Sequence, residues 1–186
     1  MLPLKSKNPK RSIEGRDAGF TLLELLVVVA IILIIAGISI PNLLKSRMTA
    51  NEGSAVGNLR TISTASVVYN STFGNGFPPS LNALGGITAA AAKCDFANLI
   101  ADNLASPPSQ QSGYSFTYVG QNGNASQGAG CGAPGFNGYL TYAVPLSEGI
   151  TGQRSFCSDT PGVIHFDING KAPADDNACD ALPPLQ

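Results

Sequence analysis

One stretch limits this chain more than any other. Residues 20–40, from Phe20 to Ile40, are twenty-one in number and carry a single charge, Glu24. As a helix rising about 1.5 Å per residue, they reach roughly 31 Å, close to the hydrocarbon thickness of a bilayer. A cleaved secretory signal has a shorter apolar core and a small-residue cut site after it. Here the run is longer, and Pro41-Asn42 follows it. Residues 1–19 hold Lys5, Lys7, Lys10, Arg11 and Arg16 against Glu14 and Asp17, whereas only Lys45 and Arg47 closely follow the run. The positive-inside rule therefore places the N-terminus in the cytoplasm and the remainder across the membrane.

Glu24 is the anomaly. A carboxylate in an apolar span is costly and is by default a functional group needing a named partner. The run contains no Lys or Arg. Cutting the chain before Phe20 would create an α-ammonium close to it in sequence, which links chain cleavage to this acid.

Beyond Pro41 the pattern turns amphipathic. Val56, Leu59, Ile62, Ala65 or Ser66, and Tyr69 recur at spacings of three to four, giving a helix with one apolar stripe. Asn51, Glu52, Asn58, Arg60, Thr61 and Thr64 are expected off that stripe. Gly53 and Gly57 weaken the stretch by about 1 kcal/mol each relative to Ala, and Pro41 removes one backbone bond. The expected organisation is a basic leader, 1–19; a transmembrane half-helix, 20–41; its amphipathic continuation, 42–72; and an exported domain, 73–186.

The last segment is acidic, with Lys93, Arg154 and Lys171 against eight Asp and Glu. Thr88 to Ala105 has helical spacing of Ala90, Cys94, Ala97, Ile100, Ala101 and Leu104, stopped by Pro107-Pro108. Four short strands follow: Tyr114–Tyr118, Leu140–Val144, Arg154–Ser158 and Ile164–Ile168. They suggest an antiparallel sheet whose apolar face, with Leu140, Tyr142 and Val144 alternating against Thr141, buries against the striped helix. Cys94, Cys131, Cys157 and Cys179 all lie in this segment, so two disulfides are expected, with three connectivities open.

Other chemistries fare poorly. A net charge of −1 argues against a nucleic-acid binder. One His and no CxxC exclude a multi-histidine or zinc-ribbon metal site. Gly130-Cys-Gly132-Ala-Pro-Gly135 matches a phosphate-loop spacing, yet Pro134 interrupts it and no clear strand precedes it. His165 and Asp167 would share a strand face without a nucleophile signature beside them. Asp167, Asn169, Asp175 and Asp176 offer oxygens for calcium but do not meet the EF-hand pattern. No cofactor and no catalysed reaction are expected.

The sequence Gly19-Phe20-Thr21-Leu22-Leu23-Glu24-Leu25-Leu26-Val27-Val28-Val29, after a basic leader and before an apolar run ending at Pro41, resembles the processing site and N-terminal helix of type IV prepilins and type II secretion pseudopilins. The resemblance is strongest over about residues 14–70. Asp17 departs from it, since basic residues are commoner that close to the cut. The resemblance implies that a prepilin peptidase cuts between Gly19 and Phe20 and methylates the Phe20 amine. It further implies that Glu24 pairs with the Phe20 ammonium of a neighbouring subunit, with Pro41 closing the assembly segment. It also favours Cys157–Cys179 as a staple of the C-terminal loop, leaving Cys94–Cys131.

The expected fold is α+β and pilin-like: a long N-terminal helix, half transmembrane and half amphipathic, packed on a small antiparallel sheet. The expected function is a structural pilin subunit of a type IV pilus-like filament. Its partners would be identical or related subunits, the peptidase, an inner-membrane assembly platform and lipid. It would sit in the inner membrane with its N-terminus cytoplasmic, then in a surface filament. Two rivals are a type II secretion pseudopilin in a periplasmic pseudopilus, for which bound calcium would speak, and a membrane-anchored binding protein that never assembles.

Overall fold

The structure is a computed structural model, in which residues 19–86 and 92–185 are described. The leader expected over 1–19 lies outside the described residues except for Gly19. The chain divides into two units, residues 1–41 and 42–186. In the first, helix α1 (Leu22–Phe73) begins, and its apolar residues are exposed throughout, with Ala36 alone half-buried. Pro41 lies inside this helix.

The second unit contains the rest of α1, two single-turn helices, α2 (Leu81–Leu84) and α3 (Asp102–Ala105), and five strands. These are β1 (Gln110–Gln111), β2 (Tyr114–Gly123), β3 (Phe136–Pro145), β4 (Ser155–Asp159) and β5 (Ile164–Asp167). They form one antiparallel meander in chain order. Its register pairs Tyr118 with Thr141, Thr141 with Ser158, and Cys157 with His165. Helix α4 (Asp176–Asp180) follows, capped by the Asp175 carboxylate, which accepts from the Ala178 amide at 2.7 Å.

The sheet is covered by α1 on one face and, at β3 and β4, by α4 on the other, and this determines where each strand points its side chains. The main core joins Ala55, Leu59, Ile62 and Tyr69 of α1 to Tyr114, Phe116 and Tyr118 of β2, Tyr139 and Ala143 of β3, Phe156 and Ile164. A smaller cluster of Leu140, Cys157 and Cys179, with Tyr142 and Leu182 against it, lies under α4. The expected placement of Leu140 and Tyr142 against the long helix is therefore corrected: Tyr139 and Ala143 take the helix side. Alternation alone could not distinguish the faces, because a covered back face also needs apolar residues. Ile168 lies beyond β5 and is 63% exposed rather than part of an apolar face.

The helix expected over Thr88–Ala105 is also corrected. Residues 87–91 lie outside the described residues, and of residues 92–105 only Asp102–Ala105 is helical. Lys93 and Phe96 exchange both backbone bonds at 3.0 Å, and Leu99 donates to the Leu84 carbonyl at 2.7 Å. Asn98 has φ 54°, the left-handed region that breaks a helix. Cys94, Ala97 and Ile100 are buried as their spacing implies, but in a tight irregular loop, and Leu104 is buried in the single turn of α3.

Candidate functional site

The start of α1 explains the behaviour of the one acid in the apolar run. Thr21-Leu22-Leu23-Glu24 is a capping box, in which a threonine before the helix and a glutamate three residues on satisfy each other's backbone amides. Glu24 Oε2 accepts from the Thr21 amide at 2.9 Å and from the Thr21 hydroxyl at 2.8 Å. Thr21 Oγ1 accepts from the Glu24 amide at 3.2 Å. The carboxylate is thus an exposed helix-start group, and no cation lies on it among the described residues. Sequence reasoning missed Thr21, although its T-x-x-E spacing was the available signal.

Gly19 and Phe20 precede the helix, and Phe20 is 85% exposed. A Cβ built on Gly19 would meet nothing within 4 Å among the described residues. Gly19, Phe20 and Glu24 are gathered at one helix start, while Pro41 lies at the boundary of the two units. From Leu22 to Ile40 the large side chains are exposed among the described residues. Each such Leu, Ile or Val forgoes about 1.5–3 kcal/mol unless lipid or another chain covers it.

Two polar sites lie deeper in the second unit. Glu52, expected on the outer side of α1, is instead buried on its inner stripe, seven residues before Leu59. Its Oε1 accepts from the amides of Gln153 (3.0 Å) and Arg154 (3.2 Å), and its Oε2 from Arg154 Nε (3.0 Å) and Nη2 (2.8 Å). Burial alone would raise this carboxyl, but these bonds and the guanidinium charge outweigh it and hold the group below its ordinary value. The Arg154 guanidinium also lies over the rings of Phe156 and Phe166, at 5.4 and 5.3 Å from their centroids.

The other site is Asp159 at the end of β4. It is 5% exposed, and its Oδ1 has no hydrogen-bond partner among the described residues. Burial, and then the neighbouring Asp180 carboxyl, push it up to about 6. His165 places Nδ1 2.6 Å from the Leu182 carbonyl and Nε2 3.8 Å from Asp180 Oδ1. Asp167 instead accepts from the Asn169 amide and side chain, each at 3.0 Å. The His165–Asp167 pair considered from the strand pattern is therefore replaced by His165–Asp180.

Cys94 is bonded to Cys131 and Cys157 to Cys179, with Cα atoms 5.4 and 6.1 Å apart. Among the described residues, no three His, Cys, Asp or Glu side chains gather as metal ligands. Asp175 and Asp176, considered for calcium, accept from the local amides of Ala178 and Asn177. The Gly130–Gly135 loop joins β2 to β3 without opening a helix.

A family model described as the prokaryotic N-terminal methylation motif matches residues 15–40. The type IV major pilin protein PilA of Myxococcus xanthus is 39% identical over 93 residues, 45% of this chain and 42% of that protein. The type IV wide pilus major component PilA4 of Thermus thermophilus is 62% identical over 34 residues, 18% of this chain and 26% of that protein. The chain thus spans less than half the length of these two curated relatives. No solved structure gives a significant match. An exposed apolar half-helix with one acid in its first turn, preceded by Gly19-Phe20, agrees with these matches: the N-terminal segment carries the prokaryotic N-terminal methylation motif, and part of the chain is similar to type IV pilin proteins.

Proposed function

We propose that this chain is a pilin, a structural subunit of a type IV pilus-like filament that catalyses no reaction. A prepilin peptidase removes residues 1–19 by cutting between Gly19 and Phe20, and methylates the new Phe20 amine. The subunit waits in the inner membrane through residues 20–41, with residues 42–186 on the far side. An assembly platform then moves it from lipid into a bundle of like helices.

The observation that carries this reading is the exposed face of Leu22–Ile40 next to Gly19–Phe20, with Glu24 lacking a cation among the described residues. Lipid is as apolar as leucine, so burial alone gives no preference for the bundle; close packing and charge pairing must supply it. Ala30, Ala36 and Gly37 are small enough to let helices approach. Glu24 accepts from Thr21 through Oε2, and no bond to Oε1 is found among the described residues. That leaves the second oxygen for the Phe20 ammonium of a neighbour. In a low-dielectric bundle two such charges are tolerable only together.

The two relatives named above are pilin components, so they support a pilus over a secretion pseudopilus. The test is Glu24→Ala in cells expressing the full chain. The variant should insert and be cut, yet yield at least tenfold fewer filaments, as expected for about 1.4 kcal/mol or more lost per subunit addition. Unchanged filaments would reject the pairing.

A further inference from the structure

Three exposed aliphatic side chains at one end of the second unit have no role in its core or in the helix bundle. Ile150 is 72% exposed, Ile168 63% and Leu146 49%. Ile168 shares a shallow cavity of about 340 Å³ with Lys45 and Met48 of α1. The loop carrying Leu146 and Ile150 is tied to the same stretch of helix: Asn51 Nδ2 donates to the Thr151 carbonyl at 2.8 Å, and Glu52 holds the Gln153 amide.

The charges around these residues differ from those of the unit as a whole. Lys45, Arg47 and Lys171 lie in the same segments, whereas Arg154 is neutralised by Glu52. The acids in these loops, Glu148 and Asp167, are occupied by Gln153 Nε2 and by Asn169. The other acids of this net-acidic unit belong to the 92–98 loop, α3, β4, and α4 with its cap.

Chain connectivity limits how far this surface can be from a bilayer. Lys45 is five residues past Ile40. Even fully extended, five residues reach only about 18 Å. The helix stretch beside Ile168 therefore emerges in or just beyond the headgroup layer, whatever the arrangement of the two units.

We infer that this surface docks the folded unit onto the anionic phospholipid headgroups of the leaflet from which it emerges. The aliphatic side chains enter the boundary between headgroups and acyl chains, and the lysines and Arg47 meet phosphate. A second copy of the chain is the competing occupant. The inference rests on residues 20–41 spanning the membrane but not on filament assembly, so the two can fail separately.

The test uses the full chain, one copy per lipid nanodisc, with a phosphatidylcholine tracer carrying a photoreactive headgroup, and adducts mapped by mass spectrometry. In discs containing phosphatidylglycerol, residues 146–151 and 168–171 should be labelled about fivefold or more above the distal 121–132 loop. The double variant Ile150→Asp, Ile168→Asp should lose that labelling while labelling of 20–41 is unchanged. Lys45→Glu with Lys171→Glu should abolish the dependence on phosphatidylglycerol. Adducts confined to 20–45, labelling unchanged in both variants, or labelling seen only in discs holding two copies would overturn the inference. Absence of adducts from 20–41 as well would overturn it together with the membrane reading.

Discussion

Glu52→Ala should be the most damaging single change to the second unit outside its apolar core. The substitution removes an acceptor from two backbone amides, Gln153 and Arg154, and from both Arg154 side-chain donors. A buried amide left unpaired costs about 1–3 kcal/mol. The ion pair adds less, about 1 kcal/mol, because the Arg154 side chain is 36% exposed. With each amide at the low end of that range the total is about 3 kcal/mol, which for a unit of this size lowers the melting midpoint by about 10 °C. Arg154→Ala should cost less, about 1.5–2 kcal/mol, because Glu52 keeps both amide donors. The chain has no Trp, and its buried tyrosines provide a near-ultraviolet circular-dichroism signal for melting with the disulfides intact. The Glu52 carboxyl is held below its ordinary value, so its stabilisation is present above about pH 4.5 and is lost as pH falls through the folded value. If Glu52→Ala costs under about 1 kcal/mol, or less than Arg154→Ala, the two amides are not what Glu52 holds.

Asp159 should act in the opposite sense. Its folded value of about 6 exceeds the unfolded one, so the stability it contributes is present at low pH and lost as pH rises from about 4 through 6. Asp159→Asn should flatten that part of the melting-versus-pH curve and stabilise the unit at pH 7 by about 2 kcal/mol; an unchanged curve would refute the assignment. Gly135→Ala should cost about 3 kcal/mol in the same melts, since a Cβ there collides with the carbonyls of Asn75 and Phe77, where the chain leaving α1 pairs with β3. A loss below about 1 kcal/mol would mean that the two segments separate easily.

The sequence patterns were legible where one physical requirement dominated. The long helix was visible because an apolar run and then a stripe require it, and β2 because only one of its faces is packed. The side chains of β3 were misassigned because α4 covers the back of the sheet, so Leu140 and Tyr142 are as apolar as Tyr139. The helix expected near Cys94 was suggested by burial at spacings of three to four, which a loop closed by Cys94–Cys131 and pairing with residues 83–85 also produces. Glu52 was assigned to the outer face because it is charged, although the interval of seven to Leu59 places it on the inner stripe. Thr21 carries only a short T-x-x-E signal, because the apolar run that follows it hides the capping role of Glu24 as the third residue of the helix. Asp159 gave no sequence signal, since its burial depends on the C-terminal segment folding back across β4.

In the proposed filament, a positive chain end that the uncut protein lacks at Phe20 meets Glu24 of a neighbour. The most direct measurement is mass spectrometry of the N-terminal peptide from filaments sheared off the cell surface. The expected peptide begins at Phe20 with a methyl group on its amine and no residue of the leader before it. Filaments built from chains that retain residues 1–19, or that begin elsewhere, would contradict it.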